Sequence, residues 1–198
     1  ASNLKFIARY GSGMESIDLI TAKKLKIECF NSGEGNSNSV GEHALGMLLS
    51  LFHNIRNSAN EVANNIWERE KNQGIELQNK VVGIIGYGNT GQSFAKKLSV
   101  FDCKILIYDK YKSNFKDSHI EECSMEFLYN NCDIISLHVP YNLETKNLID
   151  REFLNKMTNP FYLINTSRGR VVKNSDLIVG LQEKKILGAC LDVIENEN

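Results

Sequence analysis

The stretch Val81-Val82-Gly83-Ile84-Ile85-Gly86-Tyr87-Gly88-Asn89-Thr90-Gly91 decides the fold. Five residues of strand-forming character run into Gly-x-Gly-x-x-Gly, and a helix-forming segment follows at once. Each glycine has a physical task. Gly86 permits a tight turn, Gly88 lets backbone approach a pyrophosphate, and Gly91 lets the helix pack closely on the strand. The N-terminus of that helix offers unpaired N–H groups and partial positive charge to an anion. Eighteen residues beyond Gly91 a second apolar run ends on Asp109, a carboxylate placed to accept hydrogen bonds from a ribose diol. Strand before, helix after and acid downstream are the context that turns a common glycine pattern into a dinucleotide-binding fingerprint.

The same architecture extends to the C-terminal side. Strands are expected at 81–85, 104–108, 133–138, 161–165 and 188–192, with helices at about 90–100, 124–130, 150–156 and 174–184. Short apolar strands alternating with helices imply an α/β fold, a doubly wound parallel sheet of Rossmann type. On the N-terminal side, 4–10 reads as a strand, 15–24 as a helix and 25–30 as a second strand. The polar, glycine-rich run 31–39 reads as a hinge or linker. From Val40 to about Asn64 one long helix is expected, with too many apolar residues for a single stripe.

Composition sets the limits. The 198 residues carry 23 basic and 24 acidic side chains, interspersed, for a formal net charge of −1. Nothing in that balance favours nucleic acid or an anionic membrane surface as partner. No apolar run approaches the length of a bilayer span, and a cytoplasmic enzyme is expected. Cys29, Cys103, Cys123, Cys132 and Cys190 are odd in number and widely spaced, without Cys-x-x-Cys. They read as reduced thiols used as small hydrophobes, and no metal site is expected.

Ligands of such sheets lie beyond the carboxyl ends of the strands, so the residues there are the candidates. Asp109 favours a free 2′-hydroxyl and so NAD over NADP, although Lys110 and Lys112 follow closely. His138-Val139-Pro140 ends the third strand; a histidine there shapes a cofactor pocket more readily than it serves as a base. Asn165-Thr166-Ser167-Arg168 ends the fourth, where the planar fork of Arg168 can grip a carboxylate or keto oxygen. Asp192, Glu195 and Glu197 follow the fifth, where a carboxylate can orient a histidine.

Together these segments resemble the D-isomer-specific 2-hydroxyacid dehydrogenases, nearest to their phosphoglycerate dehydrogenase branch. The resemblance also covers 9–18 (Arg-Tyr-Gly-Ser-Gly-Met-Glu-Ser-Ile-Asp), Gly35-Asn36-Ser37, Gly41-Glu42-His43-Ala44, Trp67-Glu68-Arg69 and Gly188-Ala189-Cys190-Leu191-Asp192-Val193. It implies hydride transfer between NAD(H) and a D-2-hydroxyacid or 2-ketoacid, with a place in serine biosynthesis for that branch. It implies Arg168 and Glu197, not Glu195, as catalytic residues. It implies that Asn89 and Thr90 touch the pyrophosphate, while Val139, Thr166, Ser167 and Asp192 line the nicotinamide half. Ser12 and Gly13 resemble the loop whose amides receive the substrate carboxylate, a task bare amides suit. It further implies a homodimer formed through the helix starting near Val40.

By the same resemblance, residues 1–31 are the C-terminal remnant of a flavodoxin-like substrate domain, and 32–198 are the NAD-binding domain without its last strands. The family's catalytic histidine is expected beyond Asn198, and His43, His53, His119 and His138 do not occupy its position. The chain alone is accordingly expected to hold NAD without turning over. The rival expectation is a non-catalytic, corepressor-like NAD sensor; retention of both Arg168 and Glu197 argues for catalysis.

Overall fold

The computed structural model describes residues 3–197. A small parallel pair, β1 (Phe6–Arg9) and β2 (Glu28–Asn31), flanks α1 (Leu19–Lys24). Two helices follow, α2 (Ser37–Phe52) and α3 (Ile55–Ala63). Then come β3 (Val81–Ile85), α4 (Asn89–Leu98), β4 (Lys104–Tyr108), β5 (Glu121–Glu122) and α5 (Met125–Asn131). The chain continues through β6 (Ile134–Leu137), α6 (Arg151–Lys156), β7 (Phe161–Asn165), α7 (Asn174–Gln182) and β8 (Ile186–Leu191).

The six strands from β3 onward form one parallel sheet in the order β5-β4-β3-β6-β7-β8. The chain winds outward from β3 in one direction and from β6 in the other. The reversal therefore falls between β3 and β6, where the crevice of a doubly wound sheet opens. Side chains alternate between two helical layers, as a period of two requires. Val82 and Ile84 of β3, with Ile105 and Ile107 of β4, pack under α2 and α4. Ile85, Leu106, Ile135 and Leu137 face the layer containing Leu128, Phe153, Leu154 and Leu177. Among the described residues no helix is long and apolar enough to cross a membrane.

Four local expectations are corrected. Helix α1 starts at Leu19, not residue 15, because the Asp18 side chain accepts the Thr21 N–H and fixes the first turn there. Helix α2 starts at Ser37, inside the stretch expected to be a linker. The helix expected over 40–64 breaks in two at Asn54, which stands in the left-handed region at φ 50°. Asparagine tolerates that conformation better than most residues. Strand β5 was not expected at all; two glutamates carry no apolar alternation, and edge pairing to β4 alone defines them.

The apolar excess of α2 is resolved by its position. Gly41, Ala44, Leu48 and Phe52 are buried, and Leu45, Met47, Leu49 and Leu51 are half-buried around them. A Cβ on Gly41 would lie 3.0–3.1 Å from the α4 backbone at Ser93 and Phe94, so this glycine sets how closely the two helices approach. The cysteines behave as small hydrophobes: burial pushes the Cys132 thiol up to about 12 and that of Cys190 up to about 11.

Candidate active site

The turn after β3 has the geometry its glycines imply. Gly86 adopts φ +94°, and a Cβ there would sit 2.6 Å from the carbonyl oxygen of His138. Such a backbone, pressed on the end of β6, admits only glycine without strain. A Cβ on Gly91 would lie 2.2 Å from the Gly86 carbonyl oxygen. Gly88 meets nothing within 4 Å. The loop is thus closed behind and open in front, and Gly88, Asn89 and Thr90 at the start of α4 line the opening. That opening is the space a diphosphate needs.

Asp109 is fixed beside this turn. Its Oδ2 accepts from the Tyr87 N–H at 2.8 Å, and its Oδ1 accepts from the Tyr111 and Lys112 N–H groups at 2.9 and 3.1 Å. Oδ2, with one donor, keeps lone-pair capacity for a further one, such as a ribose hydroxyl.

The cleft, about 860 Å³, lies between the loop after β1 and the carboxyl edge of the large sheet. It brings together Ser12, Gly13, Gly88, Asn89, Thr90, His138, Val139, Pro140, Thr166, Ser167, Arg168 and Asp192. Most of the expected site residues therefore share one cavity. Gly86 and Gly91 support its floor, and Asp109 lies beside the loop rather than in the cleft lining. Glu197 is exposed, does not line the cleft, and accepts from the Ile194 N–H at 2.7 Å. Glu195 is committed elsewhere, accepting from the Asn174 N–H at 3.0 Å at the start of α7.

His138 is buried, with its ring against Phe94 at a centroid distance of 5.5 Å. One ring nitrogen meets Ser136 Oγ at 2.9 Å and the other Thr90 Oγ1 at 3.3 Å. Burial pushes its pKa down to about 4, so the imidazole is neutral near pH 7. It thereby ties the end of β6 to the first turn of α4 and acts as a wall of the pocket.

Ser167 donates its hydroxyl to Asn165 Oδ1 at 2.7 Å. Arg168 donates through Nε to Glu15 Oε1 at 2.7 Å and through a terminal nitrogen to the Ser167 carbonyl at 2.6 Å. A Cβ on Gly13 would lie 2.0 Å from the other terminal nitrogen of Arg168. The bare Gly13 backbone is what allows the guanidinium into this corner. Burial raises the Glu15 carboxyl, but its hydrogen bond to Arg168 and the charges of Arg168 and Arg9 outweigh that and hold it below the usual range.

Three participants were not foreseen. Glu15 is 153 residues from Arg168 in sequence and carries no periodic signal. His43 meets Asp192 Oδ1 at 3.1 Å, joining α2 to the end of β8 across an exposed rim. Asn36 lines the cleft, and among the described residues its buried Oδ1 has no partner, nor has Thr166 Oγ1. Unpaired buried oxygens are costly unless something else satisfies them. Both oxygens are closed off from the cleft; what fits a polar ligand of dinucleotide type is the open turn at Gly88, Asn89 and Thr90.

Comparison with known proteins agrees with this geometry. Residues 45–198 match the family model described as the NAD binding domain of D-isomer specific 2-hydroxyacid dehydrogenases. A hydroxypyruvate reductase of Thermotoga maritima is 36% identical over 98% of this chain and 63% of its own length. A D-3-phosphoglycerate dehydrogenase of Synechocystis sp. is 35% identical over 99% of this chain and 36% of its own length. An NAD-dependent formate dehydrogenase of Staphylococcus aureus, solved in complex with NAD, superposes with a TM-score of 0.88 at 31% identity, covering 100% of this chain and 60% of that one. The chain thus spans from about a third to under two thirds of the length of these relatives. By motif order, fold and family match, the chain belongs to the D-isomer specific 2-hydroxyacid dehydrogenases.

Proposed function

We propose that this chain carries the cofactor cradle and part of the substrate site of an NAD-dependent dehydrogenase that interconverts a D-2-hydroxyacid and a 2-ketoacid. One observation carries the reading. The guanidinium of Arg168 and the bare amide turn at Ser12–Gly13 converge at one end of a cleft whose other end is the open glycine turn. When bound, the nicotinamide would accept or supply the hydride. The chain's own residues do the rest. The amides at Gly88–Thr90 hold the diphosphate, and Asp109 holds the adenosine ribose. Thr166 lines the nicotinamide end, and Asp192 closes that rim with His43. Arg168 binds the substrate carboxylate or keto oxygen and stabilises charge that builds on that oxygen.

Glu197 is assigned the orienting carboxylate; its exposed position beyond β8 supports availability to a partner outside the cleft. The general base is assigned to none of the four histidines here, since His138 is buried and neutral and His43 holds Asp192. The division into a substrate-domain tail over 1–31 and an NAD-binding domain over 32–198 is supported by the separate β1–β2 pair, although its outermost limits fall outside the described residues. A homodimer through α2 is supported by its half-buried apolar flank, and a cytoplasmic setting by five free cysteines. A phosphoglycerate-type substrate is one option, supported by the Synechocystis relative; hydroxypyruvate is supported equally by the Thermotoga one. Arg168 at the cleft favours catalysis over cofactor sensing alone.

A ternary-binding experiment tests this. Oxalate, a dead-end mimic of a 2-ketoacid, is titrated into the chain saturated with NADH. Wild type should bind it, and Arg168→Lys should weaken binding by about tenfold or more with NADH affinity retained, the loss of one charge-assisted hydrogen bond. Equal oxalate binding by both proteins would remove Arg168 from the substrate site.

A further inference from the structure

Asp109 is followed directly by Lys110 and Tyr111. A cation at this point of a dinucleotide fold is the group that accommodates a 2′-phosphate, so Lys110 works against the choice Asp109 makes. The structure shows where that cation goes. Lys110 Nζ lies 2.8 Å from Glu144 Oε1, and the Tyr111 hydroxyl donates to the other oxygen of the same carboxylate. Glu144 comes from a different part of the sheet, the loop after β6, which also carries the cleft residues His138, Val139 and Pro140.

That loop is built to hold a carboxylate in place. Asn142 Oδ1 accepts from the Glu144 and Thr145 N–H groups at 2.9 and 3.0 Å. Thr145 Oγ1 accepts from the Asn142 N–H at 2.9 Å and donates to the Pro140 carbonyl at 2.6 Å. On the facing side, the backbone of 109–112 wraps the Asp109 carboxylate through the Tyr111 and Lys112 N–H groups. The backbone on both sides of the bridge is thus held by its own turn. The hydrogen bond between them pushes Lys110 up and Glu144 down from their ordinary ranges.

We propose that Glu144 is a second determinant of cofactor choice: it engages Lys110 and Tyr111 so that the cation beside Asp109 is withheld from a 2′-phosphate. Asp109 alone would discriminate by accepting from the ribose hydroxyl. With Glu144 in place, the neighbouring lysine no longer offsets it. This deepens the reading of the cleft as an NAD site and rests on it.

Dissociation constants for NADH and NADPH, measured by fluorescence titration of the chain, test the proposal. Wild type should prefer NADH. Glu144→Gln should tighten NADPH by about fivefold, the upper scale of one exposed charge pair, and leave NADH within about twofold. Adding Lys110→Ala to Glu144→Gln should abolish that gain, which identifies Lys110 as its source. An unmoved NADPH/NADH ratio in Glu144→Gln would overturn the proposal, as would a gain that survives Lys110→Ala, or an equal loss for both cofactors. Wild type that binds neither nucleotide would overturn the cofactor site itself, and this proposal with it.

Discussion

Replacing Gly91 with alanine sets two physical effects against each other. Gly91 is the third residue of α4, where alanine should gain up to about 1 kcal/mol in helix propensity. The structure forbids that gain. The new Cβ would stand 2.2 Å from the Gly86 carbonyl oxygen, 3.2 Å from its carbon and 3.4 Å from Ile84 Cγ2. The first two are backbone atoms of the turn itself, so no flexible side chain can yield. Helix α4 must move away from β3, and overpacking of this kind costs about 1–3 kcal/mol. The net expectation is a destabilisation of roughly 1–2 kcal/mol, or a melting temperature lower by about 2–8 °C for a chain of this size. Because the shift carries the Gly88–Thr90 amides with it, NADH affinity should fall by about tenfold or more, the scale of one charge-assisted hydrogen bond. Circular dichroism melts and an NADH titration read both effects. A melting temperature equal to or above wild type, with unchanged NADH affinity, would refute the close-packing role assigned to Gly91.

Three further outcomes are expected. Burial lowers the His138 pKa from 6.5 to about 4, so the unfolded chain takes up a proton in that window and the native chain does not. Stability should therefore fall as pH drops through the window, by up to about 3 kcal/mol from this group, and His138→Gln should lack that part of the slope in urea unfolding series. Thr166→Val removes a buried hydroxyl that has no partner among the described residues. Stability should be unchanged or raised by up to about 1 kcal/mol; a clear loss of stability would mean that the hydroxyl is already satisfied. Glu15 is held ionised by Arg168 below its usual range, so its stabilising share is present above pH 4.5 and is lost as pH falls through its lowered pKa. Both partners are more than a third exposed, so Glu15→Gln should cost less than about 1 kcal/mol at pH 7 and should make acid unfolding less steep.

The half of the molecule from Val81 onward was legible because its signals are local. Strand, glycine turn and helix lie within a short stretch, and each glycine meets a contact or an open space that explains it. Arg168, Thr166 and Asp192 followed from one rule, that ligands gather at the carboxyl ends of parallel strands. What escaped depends on pairings across the chain. Glu15 meets Arg168, His43 meets Asp192, and Glu144 meets Lys110 only once the fold has formed. Asn54 was hidden because a single left-handed residue interrupts an otherwise continuous apolar pattern. Asn36 lies within the polar, glycine-rich run 31–39, and the missing partner of its Oδ1 among the described residues is something no sequence pattern encodes.

The most direct test of the cofactor cradle is isothermal calorimetry of the folded chain with NADH. Saturable uptake of one nucleotide per chain, weakened by Asp109→Ala and by Gly91→Ala, is the predicted result. Absence of any heat of binding up to about millimolar nucleotide, a concentration at which even a site worth only about 4 kcal/mol would be half filled, would contradict it.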